Sequence, residues 1–428
     1  MDKRTLELIL SDQKEEIAMR ADEKLCKRME SGLIELSSPQ AQVVTGVRRS
    51  GKSTLCYQAL HDAGVKFAYV DFDDERLAGF PAAELNDILE VLYKIYGNFS
   101  HLFLDEIQNV EGWHLFVNRM LRQKMHVVIT GSNAKLLSSE LATHLSGRSK
   151  EIHLYPFSFR EFCEAGNVDT EKLTTKAEAF RRKAFDDYSR QGGLPELLAI
   201  KDRRTYVSGL VENILKRDIE QRYKISYKTE FESLAQHLLN ISPTQSIASD
   251  LAEMFNFKSE HTAKKYVDYL KQAFLLIGIR KYSPKSRIRT TQEKVYTVDV
   301  AMMDQRENAF AGENLGWRLE TIVFIELLRR CKADGLDLYY LGERSGECDF
   351  IVCRGKNAVQ AIQVSYDISN EKTRRREING LKLAKKTAGC QDLLLLTDHD
   401  RGSFTEDGST IKIQPVYEWC LEPMQQQL

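Results

Sequence analysis

Gly46-Val47-Arg48-Arg49-Ser50-Gly51-Lys52-Ser53 is the stretch on which the reading of this chain turns. It fits G-x-x-x-x-G-K-[ST], and its neighbours fit the same unit. AQVVT at 41–45 is a short apolar strand that stops at Gly46, and KSTLCYQAL at 52–60 opens a helix. Glycines let a backbone wrap around an anion. The N–H groups between them and the positive end of the helix then stabilise its charge. Residues Gly46 to Thr54 are therefore expected to cradle the phosphates of ATP. Lys52 is expected to reach the β- and γ-phosphates, and the Ser53 hydroxyl to ligate Mg²⁺.

Outward from the loop, short apolar strands alternate with helices. FAYVDFDD at 67–74 is a second strand ending in acids, and AELNDILEVLYKIYG at 83–97 an amphipathic helix. HLFLDE at 101–106 is a third strand, GWHLFVNRMLRQ at 112–123 a helix, and MHVVITGSN at 125–133 a fourth strand. This alternation predicts α/β architecture, a parallel sheet flanked by helices. Asp105 closes the third strand and is placed to hold the magnesium-bound water, while Glu106 can orient and deprotonate the attacking water. Thr130 to Asn133 end the fourth strand, where a polar group would sit beside the γ-phosphate. Arg148, in the loop LSGRSKEIHLYPFSF, is the candidate γ-phosphate sensor or arginine finger, within the subunit or from a neighbour. Ahead of all this, Thr5 to about Leu36 reads as one charged helix with Leu6, Leu8, Ile9, Ile17 and Leu25 on its apolar face.

At TGVRRSGKSTL, YVDFDDERL, LFLDEIQNVEGWHLFVNRM, VVITGSNAKLLSSEL, LSGRSKEIHLYPFSFREF and QGGLPE the chain resembles bacterial and archaeal AAA-type ATPases. In those proteins the ATPase domain precedes a conserved C-terminal domain of uncharacterised function. KRDIEQRYKI, VYTVDVAM, GERSGECDFIV, IQVSYDI and PVYEWCL extend the resemblance to nearly the whole chain. It implies ATP binding by Lys52, Ser53 and Asp105, hydrolysis assisted by Glu106, and kinship with the AAA+ and signal-transducing NTPase groups.

Past Pro156 the strand signal fades into helices. From Ser246 the pattern is helix, a tight turn at Asn256-Phe257-Lys258, and a second helix SEHTAKKYVDYLKQA at 259–273. Two alternating strands follow, around the basic loop KYSPKSRIRTTQ at 281–292. That order is the winged helix-turn-helix pattern. Ile247, Leu251 and Met254 are expected inward on the first helix, and Thr262, Tyr266, Tyr269 and Leu270 on the second. Ser259, Glu260, His261, Lys264, Lys265 and Lys271 would face a DNA groove, and Lys281, Lys285, Arg287 and Arg289 would contact phosphates.

The C-terminal stretch, a long helix from Leu315 and then several short strands, resembles the restriction-endonuclease-like fold. Glu320, Asp349 and Gln363 fit its helix-acid, strand-acid and E/Q positions, with Glu347 as a further oxygen ligand. The slot for a lysine, two residues after Gln363, holds Ser365, which handicaps metal-assisted cleavage. Lys372, Arg374, Arg375 and Arg376 form a charged helix face.

Composition bounds these readings. The 428 residues carry 61 Lys+Arg against 62 Asp+Glu, a net charge of −1 that excludes a polybasic whole-chain binder. Mean hydropathy is −0.40 and no apolar run approaches a membrane span. The charged N-terminal residues do not read as a signal peptide, which points to the cytoplasm. Eight scattered cysteines without a C-x-x-C pair read as buried free thiols, with Cys348 and Cys353 on opposite strand faces. The organisation expected is an N-terminal helix (1–36), an ATPase domain (37–165), a helical lid (166–230), a winged helix (231–305) and a nuclease-like domain (306–428). The function expected is an ATPase whose nucleotide state controls the later modules on DNA or on a protein partner, alone or as a homo-oligomer. Two other readings stand beside it: a nucleotide-gated switch or scaffold with little turnover, and an ATP-dependent nuclease.

Overall fold

The computed structural model describes residues 1–23, 25–132, 145–283, 293–303, 314–406 and 408–423. The chain divides into two compact units, Met1–Tyr155 with Gln272–Phe274, and Pro156–Lys271 with Leu275–Leu428. None of the described helices is long and apolar enough to cross a membrane.

In the first unit, the strands are β1 (Ala41–Thr45), β2 (Phe67–Asp71), β3 (His101–Asp105), β4 (His126–Gly131) and β5 (Ser149–His153). They form a parallel sheet in the order β2-β3-β4-β1-β5. Parallel neighbours need crossover connections, and helices α2 (Lys52–Asp62), α3 (Leu85–Tyr96) and α4 (Trp113–Arg122) provide them. The order matters for function. It sets the carboxyl ends of β1, β4 and β3 side by side, the position where open α/β sheets bind ligands.

The fifth strand was not legible in the sequence. SKEIH has one deeply buried apolar residue, Ile152, and pairs with β1 alone at the sheet edge, so it carries little hydrophobic signal. The N-terminal helix is also shorter than expected. Helix α1 spans Lys3–Met19, capped by Asp2, whose side chain accepts from the Arg4 and Thr5 amides. It buries Leu6, Ile9, Leu10, Gln13 and Ile17, while Leu8 is exposed. Beyond Met19 the chain forms two short 3₁₀ turns, Arg20–Asp22 and Met29–Leu33. There Arg20 and Arg28 are committed to tertiary hydrogen bonds, which override local helix preference.

The second unit begins with helices Phe159–Ala165, Thr175–Gln191, Arg203–Asn213 and Lys228–Asn240. Helices Ala248–Met254 and Glu260–Gln272 follow, then the antiparallel pair β7 (Leu276–Lys281) and β8 (Glu293–Thr297). Helix, turn, helix and hairpin thus occur in the expected order. Their strands do not stand alone. Strand β7 pairs in parallel with β9 (Asp337–Glu343) through Arg280↔Tyr339 and Lys281↔Tyr340. The described strands of this unit form one sheet in the order β13-β14-β12-β11-β10-β9-β7-β8-β6, so the sheet runs across the boundary drawn at 305/306. Here β6 is Thr244–Gln245, β10 Gly346–Arg354, β11 Asn357–Val364, β12 Leu393–Thr397, β13 Gly402–Glu406 and β14 Ser409–Pro415.

Helix Glu371–Ala388 packs Ile378, Leu381 and Ala384 against Cys348, Ile351 and Cys353. Both cysteines therefore line one apolar cluster, against expectation. Register shifts in β10 between Cys348 and Ile351, and again between Val352 and Cys353, break the strict alternation of faces. Phe350 faces the other way, in a ring series with Tyr296 and with Phe324 of the helix Leu315–Asp334. All eight cysteines are free, and all but Cys26 are buried.

QGGLPE gains a structural reason. A Cβ on Gly193 would lie 2.3 Å from the Phe157 carbonyl oxygen, so only glycine fits there. The Gly193 amide donates to Asp299 Oδ2 and the Ala301 amide to Asp299 Oδ1, both at 2.8 Å. Burial pushes the Asp299 carboxyl up to about 6, against the pull of those two amides. A carboxyl raised above its unfolded value binds its proton more tightly in the native state. Its stabilising effect is full at low pH and fades as pH rises through about 4 to 6. Asp299→Asn should therefore flatten the stability–pH slope in that window by about 2–3 kcal/mol, read by urea unfolding at pH 4.5 and 7. An unchanged slope would remove Asp299 as the titrating group.

Candidate nucleotide site

The loop after β1 is built from strain and close approach. Gly46 has φ +154°, and a Cβ there would lie 2.2 Å from the Leu154 carbonyl oxygen. Arg49 (φ 69°) and Gly51 (φ 94°) both adopt left-handed backbone. For Arg49 that is a strained state which the surroundings must hold in place. Val47 and Ser50 are wholly buried. The Ser50 hydroxyl is buried with no hydrogen-bond partner among the described residues. An orphaned donor inside a turn that admits no side chain at Gly46 fits a bound anion. Arg48 pairs with Asp73 at 2.9 Å on the loop's outer side.

Lys52 opens α2 and is buried. Its ammonium donates to the Val47 carbonyl and lies 3.3 Å from Glu106 Oε1. Ser53 hydrogen-bonds the Asp105 carboxyl. Asp105, itself buried, also accepts from the Tyr69 hydroxyl at 3.1 Å and closely from the Thr130 hydroxyl. Burial and the neighbouring Glu106 raise its carboxyl above the usual range, opposed by Thr130, Ser53 and Lys52. These are oxygen donors of the kind magnesium takes, and Ser53 and Asp105 are already in contact.

Glu106 sits in left-handed backbone (φ 48°, ψ 40°) just past β3. Its amide donates to Thr130 Oγ1 at 2.9 Å. Its Oε2 accepts from the Ser132 amide at 3.1 Å, from the Ser132 hydroxyl at 2.9 Å and from Gln108. Burial pushes the carboxyl up. The Lys52 ammonium, the Gln108 donor, Arg48 and Ser132 outweigh it and hold it at about 2. Glu106 is ionised at neutral pH and fully engaged.

The sequence thus named Lys52, Ser53, Asp105, Glu106 and Thr130 correctly as neighbours. It missed Tyr69, Gln108 and Asp71. Asp71 stands in register with Asp105, and burial and that neighbour push its carboxyl up to about 7. Its signal was the alternation in YVD, which sets Tyr69 and Asp71 on one strand face. Asn133 lies outside the described residues. Arg148 is not brought to the loop. It is exposed, contacts Asn118 at 3.3 Å, and its carbonyl accepts from the amide of Ala41, the first residue of β1. The phosphate loop leaves the far end of that strand, so Arg148 does not fit a sensor acting within the subunit.

A second set of site residues also meets. Lys294 of β8 places its buried ammonium 2.9 Å from Glu320 Oε1, 2.7 Å from Glu347 Oε1 and 4.0 Å from Asp349 Oδ1. The Tyr296 hydroxyl donates to Glu320 Oε1 at 2.7 Å. Gln363 accepts from the Asp349 amide at 3.2 Å and donates to Glu377 at 2.6 Å. Burial and Glu320 raise the Asp349 carboxyl well above its usual range, with Lys294 opposing. The structure therefore gathers Glu320, Asp349 and Gln363 as expected, around an ammonium that sequence reasoning did not assign. Among the described residues, no group of three or more His, Cys, Asp or Glu is arranged to hold a metal ion.

In the helix–turn–helix segment, Lys264 and Lys265 are exposed. Lys271 is paired with Glu293 at 2.6 Å and is not free for phosphate. Ile247 and Met254 are 47% and 55% exposed rather than inward. Their helix is only two turns long, and Leu251 with Ala252 forms its whole buried face. Lys285, Arg287 and Arg289 lie outside the described residues.

Known proteins resemble this chain along most of its length. Residues 38–163 match the family described as an AAA domain, and residues 182–311 match a domain of unknown function, DUF8612. The chain is 32% identical over 403 residues to uncharacterized protein MJ1544 of Methanocaldococcus jannaschii, covering 91% of this chain and 90% of that one. An uncharacterized protein of Haemophilus influenzae is 33% identical over 344 residues, covering 76% and 82%. Among solved structures, the Walker-type ATPase PABY2304 of Pyrococcus abyssi is 15% identical, with TM-score 0.47, covering 66% of this chain and 96% of that one. The chain belongs to the family of MJ1544, a relative matched along almost its whole length, and its AAA domain, phosphate loop and parallel sheet make it an AAA-type P-loop ATPase.

Proposed function

We propose that this protein binds ATP with magnesium at residues 46–54 and hydrolyses it, and that the nucleotide state governs the action of the second unit on DNA. The observation that carries the first part is the wholly buried, unpartnered Ser50 hydroxyl inside a loop whose Gly46 admits no side chain. Lys52 would hold the phosphates, and Ser53 with Asp105 would hold the magnesium, which supplies charge neutralisation on the phosphate oxygens. Tyr69 and Thr130 orient Asp105. Glu106, kept ionised, is the base that would take a proton from water. Its strength is set by its partners. Whatever Lys52 gives to a phosphate chain, Glu106 loses as a counter-ion, and its affinity for a proton rises accordingly.

The DNA reading rests on the exposed Lys264 and Lys265 of the second helix and on the basic run with Lys285, Arg287 and Arg289. Together they would supply phosphate contacts of the winged-helix kind. Arg148 is retained only as a residue acting on a neighbouring subunit. The switch reading, with little turnover, is favoured by Glu106 being held by Lys52, Ser132 and Gln108 at once. A restriction-endonuclease-like role for the C-terminal strands is the weaker reading. Ser365 stands in the lysine slot, the Lys294 ammonium already sits among the carboxylates, and Gln363 is committed to Glu377.

Glu106→Gln tests base against switch. Turnover should fall by roughly 10²–10⁴-fold while ATP binding is retained, measured as phosphate release and equilibrium binding with and without duplex DNA. Unchanged turnover would remove the base assignment. Duplex affinity that ignores nucleotide and salt would remove the DNA reading.

A further inference from the structure

We propose that Arg28 is a positioning residue for phosphate binding, holding the loop at 46–54 in its anion-accepting shape from a segment upstream of the first strand. The proposal rests on the reading of that loop as the nucleotide site. Arg28 lies in extended backbone just before the 3₁₀ turn Met29–Leu33, and its side chain is buried. One arm of its guanidinium donates to the Ser50 carbonyl at 2.9 Å, and the other to the Tyr155 carbonyl at 2.6 Å. Burying a guanidinium is costly unless its donors are used, and here two are spent on backbone carbonyls rather than left to solvent.

The first bond sets a peptide plane. In a planar trans peptide the carbonyl and the following N–H point in opposite directions. Drawing the Ser50 carbonyl toward Arg28 turns the Gly51 N–H to the opposite side of the peptide, away from Arg28. The second bond closes the loop against its own base. Tyr155 follows Leu154, whose carbonyl fills the space a side chain on Gly46 would need and whose amide donates to Thr45 at 2.7 Å. Arg28 thereby ties the end of the loop, at Ser50, to the strand exit that already touches its beginning, at Gly46. Between them lies Arg49 in strained left-handed backbone, the kind of residue that persists only when its surroundings over-determine it. An independent contact from the same segment points the same way, since Arg20 donates to Thr54 Oγ1 at 3.1 Å. The planar fork of arginine reaches two carbonyls at once, and a lysine ammonium on a flexible stem does not reproduce it.

The test uses the full chain with Arg28→Lys and Arg28→Gln. Steady-state ATPase kinetics give KM and kcat, competition by inorganic tripolyphosphate gives its inhibition constant, and circular dichroism monitors folding. Both variants should raise KM for ATP and the tripolyphosphate constant in parallel by about tenfold, with kcat at saturating ATP within about threefold of the parent. Should Arg28→Gln fail to fold, Arg28→Lys, which keeps the charge, carries the test. A lower kcat at unchanged KM is what a merely structural residue produces through a smaller active fraction, and it would overturn the proposal. So would variants that match the parent in both constants. If the parent chain itself neither binds nor hydrolyses ATP, the nucleotide reading fails first.

Discussion

Lys52→Ala should abolish turnover and weaken ATP binding by roughly 100-fold or more, the scale of losing charge-assisted hydrogen bonds to phosphate. The structure adds a second consequence in the nucleotide-free protein. The Lys52 ammonium is 3.3 Å from Glu106 and is the strongest influence holding that carboxyl down at about 2. A depressed carboxyl stabilises the fold above its unfolded value near 4.5, and that contribution is lost as pH falls toward 2. Without Lys52 it disappears at neutral pH as well. The variant should lose about 1–3 kcal/mol at pH 7, and the double variant with Glu106→Gln should recover part of it. Equilibrium binding and urea unfolding check the two effects separately. Retained ATP affinity would sink the assignment of the loop, and additive stabilities would sink the pairing.

The other large effect is expected in the second unit. Lys294→Met should destabilise the chain by about 3–5 kcal/mol at pH 7, because it strands Glu320, Glu347 and Asp349 around a buried apolar side chain. The sign of the pH response is fixed by the same charges. With the ammonium gone, the Asp349 carboxyl, raised by burial and Glu320, loses the charge that opposes that rise and binds its proton more tightly than in the unfolded chain, so the variant regains stability as pH falls from 7 toward 5. Lys294→Met with Glu320→Gln should recover much of the loss, since the hydroxyl of Tyr296 still meets a neutral acceptor at 2.7 Å. Thermal unfolding across that pH range reads all three. A loss below about 1 kcal/mol with no pH response would show the cluster to be solvent-screened rather than an internal ion-pair network.

Both expectations turn on lysines that the sequence treated very differently. Lys52 announced itself, because its neighbours in sequence are also its neighbours in space. Lys294 sat unremarked in EKVYTV, one polar residue on a hairpin strand. Its partners come from a helix 26 residues away and a strand more than 50 away. The missing lysine after Gln363 was visible as Ser365. That another lysine fills the middle of the acids was not, because a pairing of that separation leaves no local pattern. Strand β5 and the N-terminal segment failed for a related reason. SKEIH pairs with one neighbour at an edge, and Arg28 in the segment after α1 is held by hydrogen bonds to distant backbone, so neither needs the periodicity that marks a self-contained element.

By itself, then, the order of residues determined the phosphate loop, the acids that close β3 and the α/β alternation that brings them together in any right-handed parallel winding. Those follow from local constraints: backbone angles that glycine permits, apolar runs of strand length, a helix start at Lys52. Tertiary structure alone decided that β4 slots between β1 and β3, that Ser132 and Lys52 grip Glu106, that Arg148 meets the start of β1 rather than its loop end, and that the hairpin's lysine sits among acids of a helix and a strand beyond. Burial and charge set those choices, and both depend on groups that meet only once the chain has folded.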